Sequence, residues 1–449
     1  MAALRTTPPS DWVDLLESAW AQACPEVRHI EVALSGGLDS VCLLRLLVAL
    51  GQRLGLSITA VHVNHQISPH AEDWQEFCQW LCVELNVPLR VARVSVARQG
   101  GESLEAEARR VRYAVFADST TPVLALAHHA DDQAETVMLQ LLRGAGARGL
   151  AAMPVMRALT ETTQLWRPLL HINRQDLTAL AEAHDWLWVE DESNLSPQFR
   201  RNFIRQTLFP VLAEVYTEYR AQLARVALRA ADAAELLDEL ARSDLEALVG
   251  ADGSLDLEPF AGYSAARMRN ALMAWVENRG GSLTPDALDV TLNQLLTAAA
   301  DAAPTLQAGA WCISRYRSRA YLFRPFTPPT HTIEITFEPP QPIDLPDWGG
   351  RLRFNAVKGS GIAPHFLGVG LTVRPRTGGE VLPQFRIGSK PLKTLLQEAA
   401  IPPFRRERLP LLYLGETLLA APGVGINSEC LVEKEETGYV PIWVPFDGL

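Results

Sequence analysis

Apolar and polar positions alternate between two periods through residues 1–215. Short apolar, β-branched runs recur at His29–Ser35, Ile58–Asn64, Leu89–Val94, Val123–Ala127, Trp166–Leu170 and Leu187–Val189. Helix-period stretches separate them, at about Asp39–Leu54, His70–Leu85, Glu102–Ala117 and Asp131–Arg143 and from Arg174 onward. Strand and helix in alternation predict an α/β, Rossmann-like fold, a parallel sheet with helices on both faces. Ligands of such sheets bind at the carboxyl ends of the strands. The first and fourth runs end there, at Ser35 and His128.

The pattern then changes. From Val211 to Ala300 it is helical, with breaks at Gly250–Gly253 and Gly280–Pro285. Proline-rich runs follow at Pro325–Pro329 and Pro339–Pro342, and the remainder consists of short apolar runs between Gly and Pro, with one helix at Leu392–Ala399. This predicts three domains: residues 1–215, a helical domain 216–325, and a small mixed α/β domain 326–449.

Composition narrows the class. Hydrophobic residues are 48% and charged residues 21%, ordinary values that rule out disorder and coiled coil as the main class. No run approaches the ~18 apolar residues of a membrane span. The start of the chain lacks an apolar signal core, and the six Cys form no CxxC pair, so a cytosolic protein with reduced thiols is expected. Net charge is −11, yet Phe199–Arg229 carries +4 and Thr372–Arg408 carries +5, with −8 between them over Ala231–Pro259. Local basic surface on an acidic chain suits a protein that grips a polyanion at chosen places. The only lysines are Lys358, Lys390, Lys393 and Lys434. Any ATP chemistry before residue 358 therefore proceeds without a Walker lysine or a covalent lysyl adenylate.

The candidate phosphate cradle is Ser35-Gly36-Gly37-Leu38-Asp39-Ser40, between a buried strand and an apolar helix. Paired glycines allow a tight turn, the two hydroxyls are donors, and the helix start offers free N–H groups and a positive dipole end. Asp39 would repel phosphate unless Mg²⁺ bridges the two; it would also serve as a helix N-cap. A second cluster, His128-His129-Ala-Asp131-Asp132-Gln-Ala-Glu135, begins at the fourth strand end. Asp132 and Glu135 share a helical face and would hold Mg²⁺ or an amine substrate; acids in a first turn also suit the dipole. Zinc is disfavoured by the spacing and the missing Cys partner.

The cradle resembles the loop of the N-type ATP pyrophosphatases. Together, the two clusters resemble the tRNA(Ile)-lysidine synthetase family. Further matches are Glu107-Ala-Arg109-Arg-Val-Arg112-Tyr113, Leu142-Arg143-Gly144-Ala-Gly146, Asp191-Glu-Ser-Asn194 and Arg201-Asn202-Phe-Ile-Arg205. The tail adds Arg374-Pro-Arg376-Thr-Gly-Gly-Glu380, Lys390-Pro-Leu-Lys393 and Ile401-Pro-Pro-Phe-Arg405-Arg-Glu-Arg408. The resemblance implies a PP-loop catalytic domain and two tRNA-binding domains. It implies ligation of free L-lysine to the wobble cytidine of isoleucine tRNA with a CAU anticodon, through an adenylated cytidine. ATP is the co-substrate and Mg²⁺ the cofactor.

By the same resemblance Ser35, Gly36, Gly37, Leu38, Asp39 and Ser40 hold ATP and pyrophosphate, and Asp39 also holds Mg²⁺. Asp132 and Glu135 recognise lysine, and Asp39, His128 and Asp132 form the catalytic group. Arg109, Arg112, Arg201, Arg205, Arg374, Arg376, Lys390, Lys393 and Arg405 contact tRNA. No membrane and no obligatory protein partner is implied. A PP-loop tRNA thiolase is the alternative, and it should show a persulfide-carrying Cys. A non-catalytic RNA-binding protein with a degenerate loop is a second, and the intact acids speak against it.

Overall fold

A computed structural model describes residues 8–96, 104–190, 200–298, 304–336, 341–367, 370–384 and 388–446. The Asp191–Asn194 motif, Pro339 and Pro340, and the expected helix ends Glu102 and Ala300 lie outside them. The chain forms two compact units, Met1–Leu236 and Leu237–Leu449.

The first unit opens with helix α1 (Ser10–Ala23), which the sequence pattern had not suggested. It continues as β1 (His29–Ala33), α2 (Leu38–Leu54), β2 (Ser57–Asn64), α3 (Ala71–Glu84), β3 (Leu89–Arg93) and α4 (Leu104–Ala117). Next come β4 (Val123–Ala125), α5 (Ala130–Leu142), the one-turn α6 (Ala147–Leu150), β5 (Met156–Ala158), β6 (Gln164–Trp166) and α7 (Arg174–Ala183). The six strands form one sheet in the order β3-β2-β1-β4-β6-β5. All neighbours are parallel except the edge pair β5–β6.

Strand alternation explains why both faces are covered. Ile30, Val32, Ala60, Val123 and Ala125 face a core shared with α1, α2, α3 and α7. Val61, Leu124, Leu126 and Leu165 face the other way, against Val115 and Phe116 of α4. Helix α2 starts at Gly37 in an extended conformation and stops at Gly55 with φ +68°, a left-handed stop that glycine adopts at little cost.

Two expected strands differ. The run Trp166–Leu170 is a strand only at its first residue, because Pro168 brings no N–H to a ladder. Leu187–Val189 is irregular; Val189 instead donates its N–H to the carbonyl of Gly36 at 3.0 Å, so the segment braces the glycine turn. Strand β5 was not anticipated, since three residues carry too little periodicity to read.

After α8 (Arg200–Phe203), a π-helical turn (Ile204–Leu208) and α9 (Phe209–Val215), the long α10 (Tyr219–Leu248) carries the chain into the second unit. Helices Ala265–Glu277 and Pro285–Thr297 begin at Ser264 and Thr284, whose hydroxyls accept backbone N–H bonds of 3.3 Å. They pack Trp275, Leu292 and Leu295 with Ile313 and Leu322 of an antiparallel four-stranded sheet over residues 255–323. That sheet is a correction to the expected helical domain 216–325, which contains it. Beyond it, a five-stranded and a three-stranded antiparallel sheet and a hairpin accompany helix Leu392–Glu398.

Candidate active site

Strands β1 and β4 are neighbours, so their following turns lie side by side. This places the glycine turn beside the His-Asp-Glu cluster at the carboxyl edge of the sheet, where a switch in strand order opens a crevice.

In the turn, Gly36 takes φ +90°. A Cβ there would lie 2.9 Å from Val189 Cγ2 and 3.2 Å from Cys78 Sγ, so only glycine fits. Ser40 is buried, and its hydroxyl donates to the Gly37 carbonyl at 2.9 Å and accepts from the Ser35 N–H at 3.2 Å. Ser40 therefore sets the shape of the turn. Ser35 Oγ lies 3.1 Å from that hydroxyl and accepts the Gly37 N–H at 3.3 Å. Leu38, also buried, anchors the helix start in the core. The first N–H groups of α2 have no intrahelical acceptor, and Gly37 offers no side-chain cap.

Asp39 sits at the mouth. Its Oδ2 is 3.6 Å from His129 Nε2, and its Oδ1 is 3.6 Å from Arg174 Nε. Oδ1 is buried without a hydrogen-bond partner. An orphaned carboxylate oxygen beside a phosphate cradle fits a hard cation that takes its other ligands from phosphate and water. Among the described residues no group of three or more His, Cys, Asp or Glu forms a metal cluster.

Helix α5 begins with a reciprocal cap. His129 Nδ1 accepts the Asp132 N–H at 3.4 Å, and Asp132 Oδ2 accepts the His129 N–H at 3.1 Å. Asp131 accepts the Arg174 N–H at 2.9 Å and pairs with Arg220. Asp132 and Glu135 share a face as the spacing predicted, and both are occupied. Arg201 reaches Asp132 at 2.7 Å and Glu135 at 2.5 Å. Arg205 Nε and Nη2 grip Glu135 at 2.6 and 3.1 Å. Glu135 has no solvent exposure. The resemblance implied that Arg201 and Arg205 face RNA and that Glu135 faces an amine. Instead these groups neutralise one another, because two carboxylates out of water need fixed cations.

The two histidines differ. Burial, with Arg167, Arg201 and Arg109 nearby, outweighs Asp132 and pushes His128 down to about 3, so its imidazole is neutral. Its Nδ1 is buried without a partner. For His129 burial acts downward, but Asp39, Asp132 and Asp131 together hold it above its ordinary value. The basic histidine is thus His129, which the sequence reading passed over; its place between three acids depends on strand order.

The remaining arginines of this edge gather round Tyr113. Arg109 donates to the Tyr113 hydroxyl at 3.3 Å, and Arg109 and Arg157 stand 4.9 and 5.3 Å from its ring centre. Arg112 donates to His65 Nε2 at 3.3 Å. In the second unit Arg374 pairs with Glu416, Arg376 with Glu380, and Lys390 with Glu398; Arg405 lies over Tyr321, and Lys393 is exposed. All six cysteines are free and buried.

A PP-loop domain matches residues 14–212, a TilS substrate binding domain matches 255–321, and a TilS substrate C-terminal domain matches 371–443. A tRNA(Ile)-lysidine synthase of Chromobacterium violaceum is 42% identical, covering 96% of this chain and 99% of its own. One from Coxiella burnetii is 39% identical, covering 91% of each. Among solved structures, the U34-tRNA thiolase NcsA of Methanococcus maripaludis is 16% identical, with TM-score 0.41 over 49% of this chain and 78% of that one, a likeness too distant to bear on function. On the strength of its full-length relatives, the chain belongs to the tRNA(Ile)-lysidine synthase family.

Proposed function

We propose that this protein ligates free L-lysine to C2 of the wobble cytidine in a CAU-anticodon isoleucine tRNA, cleaving ATP to AMP and pyrophosphate. The cytosine 2-oxo oxygen attacks the α-phosphorus and pyrophosphate leaves; the lysine ε-amine then attacks C2 and AMP leaves. The observation that carries the reading is the meeting of the glycine turn with the His-Asp-Glu cluster across neighbouring strands β1 and β4.

The residues divide the work. Gly36 and the N-terminal N–H groups of α2, from Leu38 to Ser40, bind the phosphates through backbone donors in place of lysine, while Ser35 and Gly37, whose N–H groups are spent within the turn, hold its shape. Asp39 would hold Mg²⁺ through Oδ1, which makes no hydrogen bond; such an ion supplies charge neutralisation to the phosphates. His128, neutral, accepts or donates one hydrogen bond at the reacting centre. His129, its Nδ1 engaged in the cap, turns Nε2 toward Asp39 and Asp132 and orients both carboxylates, and a nearby carboxylate takes the proton of the attacking ammonium. Asp132 and Glu135 bind the lysine amines when a guanidinium of Arg201 or Arg205 gives way. Lys393 and Arg405 support the tRNA from the second unit.

The cysteines speak against sulfur transfer. Burial pushes Cys42 and Cys78 up to about 12 and Cys82 up to about 11, leaving no reactive thiolate at neutral pH. The test is pyrophosphate release. ATP with the isoleucine transcript should release it even before lysine is added, whereas ATP alone or with methionine tRNA should not. Release that ignores the tRNA would contradict the proposal.

A further inference from the structure

Three guanidiniums converge at the α4 side of the sheet edge without an acid to balance them. Arg109 and Arg157 flank the Tyr113 ring. Arg167, with 2% of its surface exposed, follows β6 directly and donates from Nη1 to the Pro154 carbonyl at 2.7 Å. Its Nε is buried and has no partner. Among the described residues no carboxylate pairs with Arg109, Arg157 or Arg167, although Arg201, Arg205 and Arg220 close by each have one.

Register brings the trio together. Arg157 stands opposite Leu165 in the β5–β6 pair, and Arg167, two residues beyond Leu165 and just past β6, still donates its N–H to the Val155 carbonyl at 2.8 Å, so both side chains leave the sheet on one face. Leu165 on that face packs with Val115 and Phe116 of α4. Tyr113 lies about one turn earlier on the same helix and Arg109 about two, and Tyr113 borders that core. The Gln133 side-chain amide fixes the far wall by exchanging hydrogen bonds of 3.0 Å with both backbone groups of Met153. These are rigid supports, and they hold like charges close together with a buried donor unspent.

We infer that Arg109, Arg157 and Arg167, with the Tyr113 hydroxyl, form a seat for one phosphodiester of the tRNA backbone next to the target cytidine. The inference rests on the proposed function and adds a binding site to it. A guanidinium fork matches two phosphate oxygens at once, and an uncompensated cluster is completed by an anion. The seat adjoins the reacting centre, since Arg109 and Arg167 also act on His128. It is separate from the ATP cradle. Neighbouring strands lie about 4.8 Å apart, so β6 and β5 stand roughly 10 and 14 Å from the strand that feeds the glycine turn. A base drawn out of its stack must have its flanking backbone held still, and a phosphate contact there positions the RNA without reading sequence.

The test pairs a charge removed from the protein with a charge removed from the RNA. Arg157 is exposed, so Arg157→Gln leaves the core intact. The full-length variant should bind the CAU isoleucine transcript about 5- to 10-fold more weakly, and its salt slope should fall by about 1. ATP affinity without tRNA should stay unchanged. On transcripts carrying a neutral methylphosphonate at one phosphate flanking the wobble cytidine, one of the two positions should abolish the difference between native protein and variant. Unchanged tRNA affinity and salt slope in Arg157→Gln overturns the seat, as does a loss confined to ATP or pyrophosphate, which assigns the anion to the nucleotide. If native protein fails to bind the transcript, the functional reading falls and the seat with it. Normal native binding with an indifferent variant overturns the seat alone.

Discussion

Two sets of arginines meet the same sheet edge and behave oppositely. Arg201 and Arg205 are locked onto Asp132 and Glu135, a part-buried quartet with no net charge built round the fully buried Glu135. Arg109, Arg157 and Arg167 surround Tyr113 with no such partners among the described residues. Counting basic residues therefore does not locate an RNA surface; the position of the acids decides which cations remain available. The quartet is neutral within itself, and in the proposed seat the trio keeps its charge for a ligand.

The largest effect expected is at the quartet. Glu135→Gln leaves two guanidiniums sharing the one carboxylate of Asp132, and unfolding free energy should drop by about 3 kcal/mol, read by urea denaturation. An unchanged midpoint would mean that the four groups are not coupled. Asp39→Asn should reduce lysine incorporation by about 100-fold or more while the melting temperature holds, because Asp39 supports phosphate charge and not the core. Full activity of that variant removes the cation from the account.

A smaller effect concerns pH. The native chain binds a proton at His128 only near pH 3, whereas an unfolded histidine binds one near 6.5. Between those values the unfolded chain holds more protons, so stability falls as pH drops through the window. His128→Asn should flatten that acid limb; parallel stability curves for the two proteins would place the shift elsewhere. The smallest difference lies in the second unit. Lys390 is held by Glu398 at 2.5 Å and Lys393 is exposed. Lys393→Ala should weaken tRNA binding roughly two- to threefold, and Lys390→Ala less, as expected of single exposed charges. The reverse order would show that intramolecular pairing does not govern availability.

Contiguous features were legible in the sequence. The turn Ser35–Ser40 and the cluster His128–Glu135 are each encoded within eight residues, and the parallel sheet followed from alternating periods. What stayed hidden depends on contacts between distant segments. Nothing local to Glu135 announces Arg201 or Arg205, more than sixty positions away. Arg157 lies in a three-residue strand, and Arg167 owes its place to β6 and to the proline after it. The sheet over residues 255–323 was masked by the helices beside it, whose stronger period dominates that stretch. His129 could have been found: it immediately precedes Ala130, a helix start, with an acid three residues on, which is the spacing of a reciprocal cap.

The central claim is that the paired turns after β1 and β4 activate a cytosine oxygen for displacement by an amine. Its most direct test is mass spectrometry of nucleosides from a CAU-anticodon isoleucine transcript incubated with this protein, ATP and isotopically labelled lysine. The account predicts one cytidine converted to a conjugate bearing one lysine with loss of one water, and no such product from methionine tRNA. Unmodified cytidine alongside a thiolated base, or ATP turnover with every nucleoside unchanged, would contradict it.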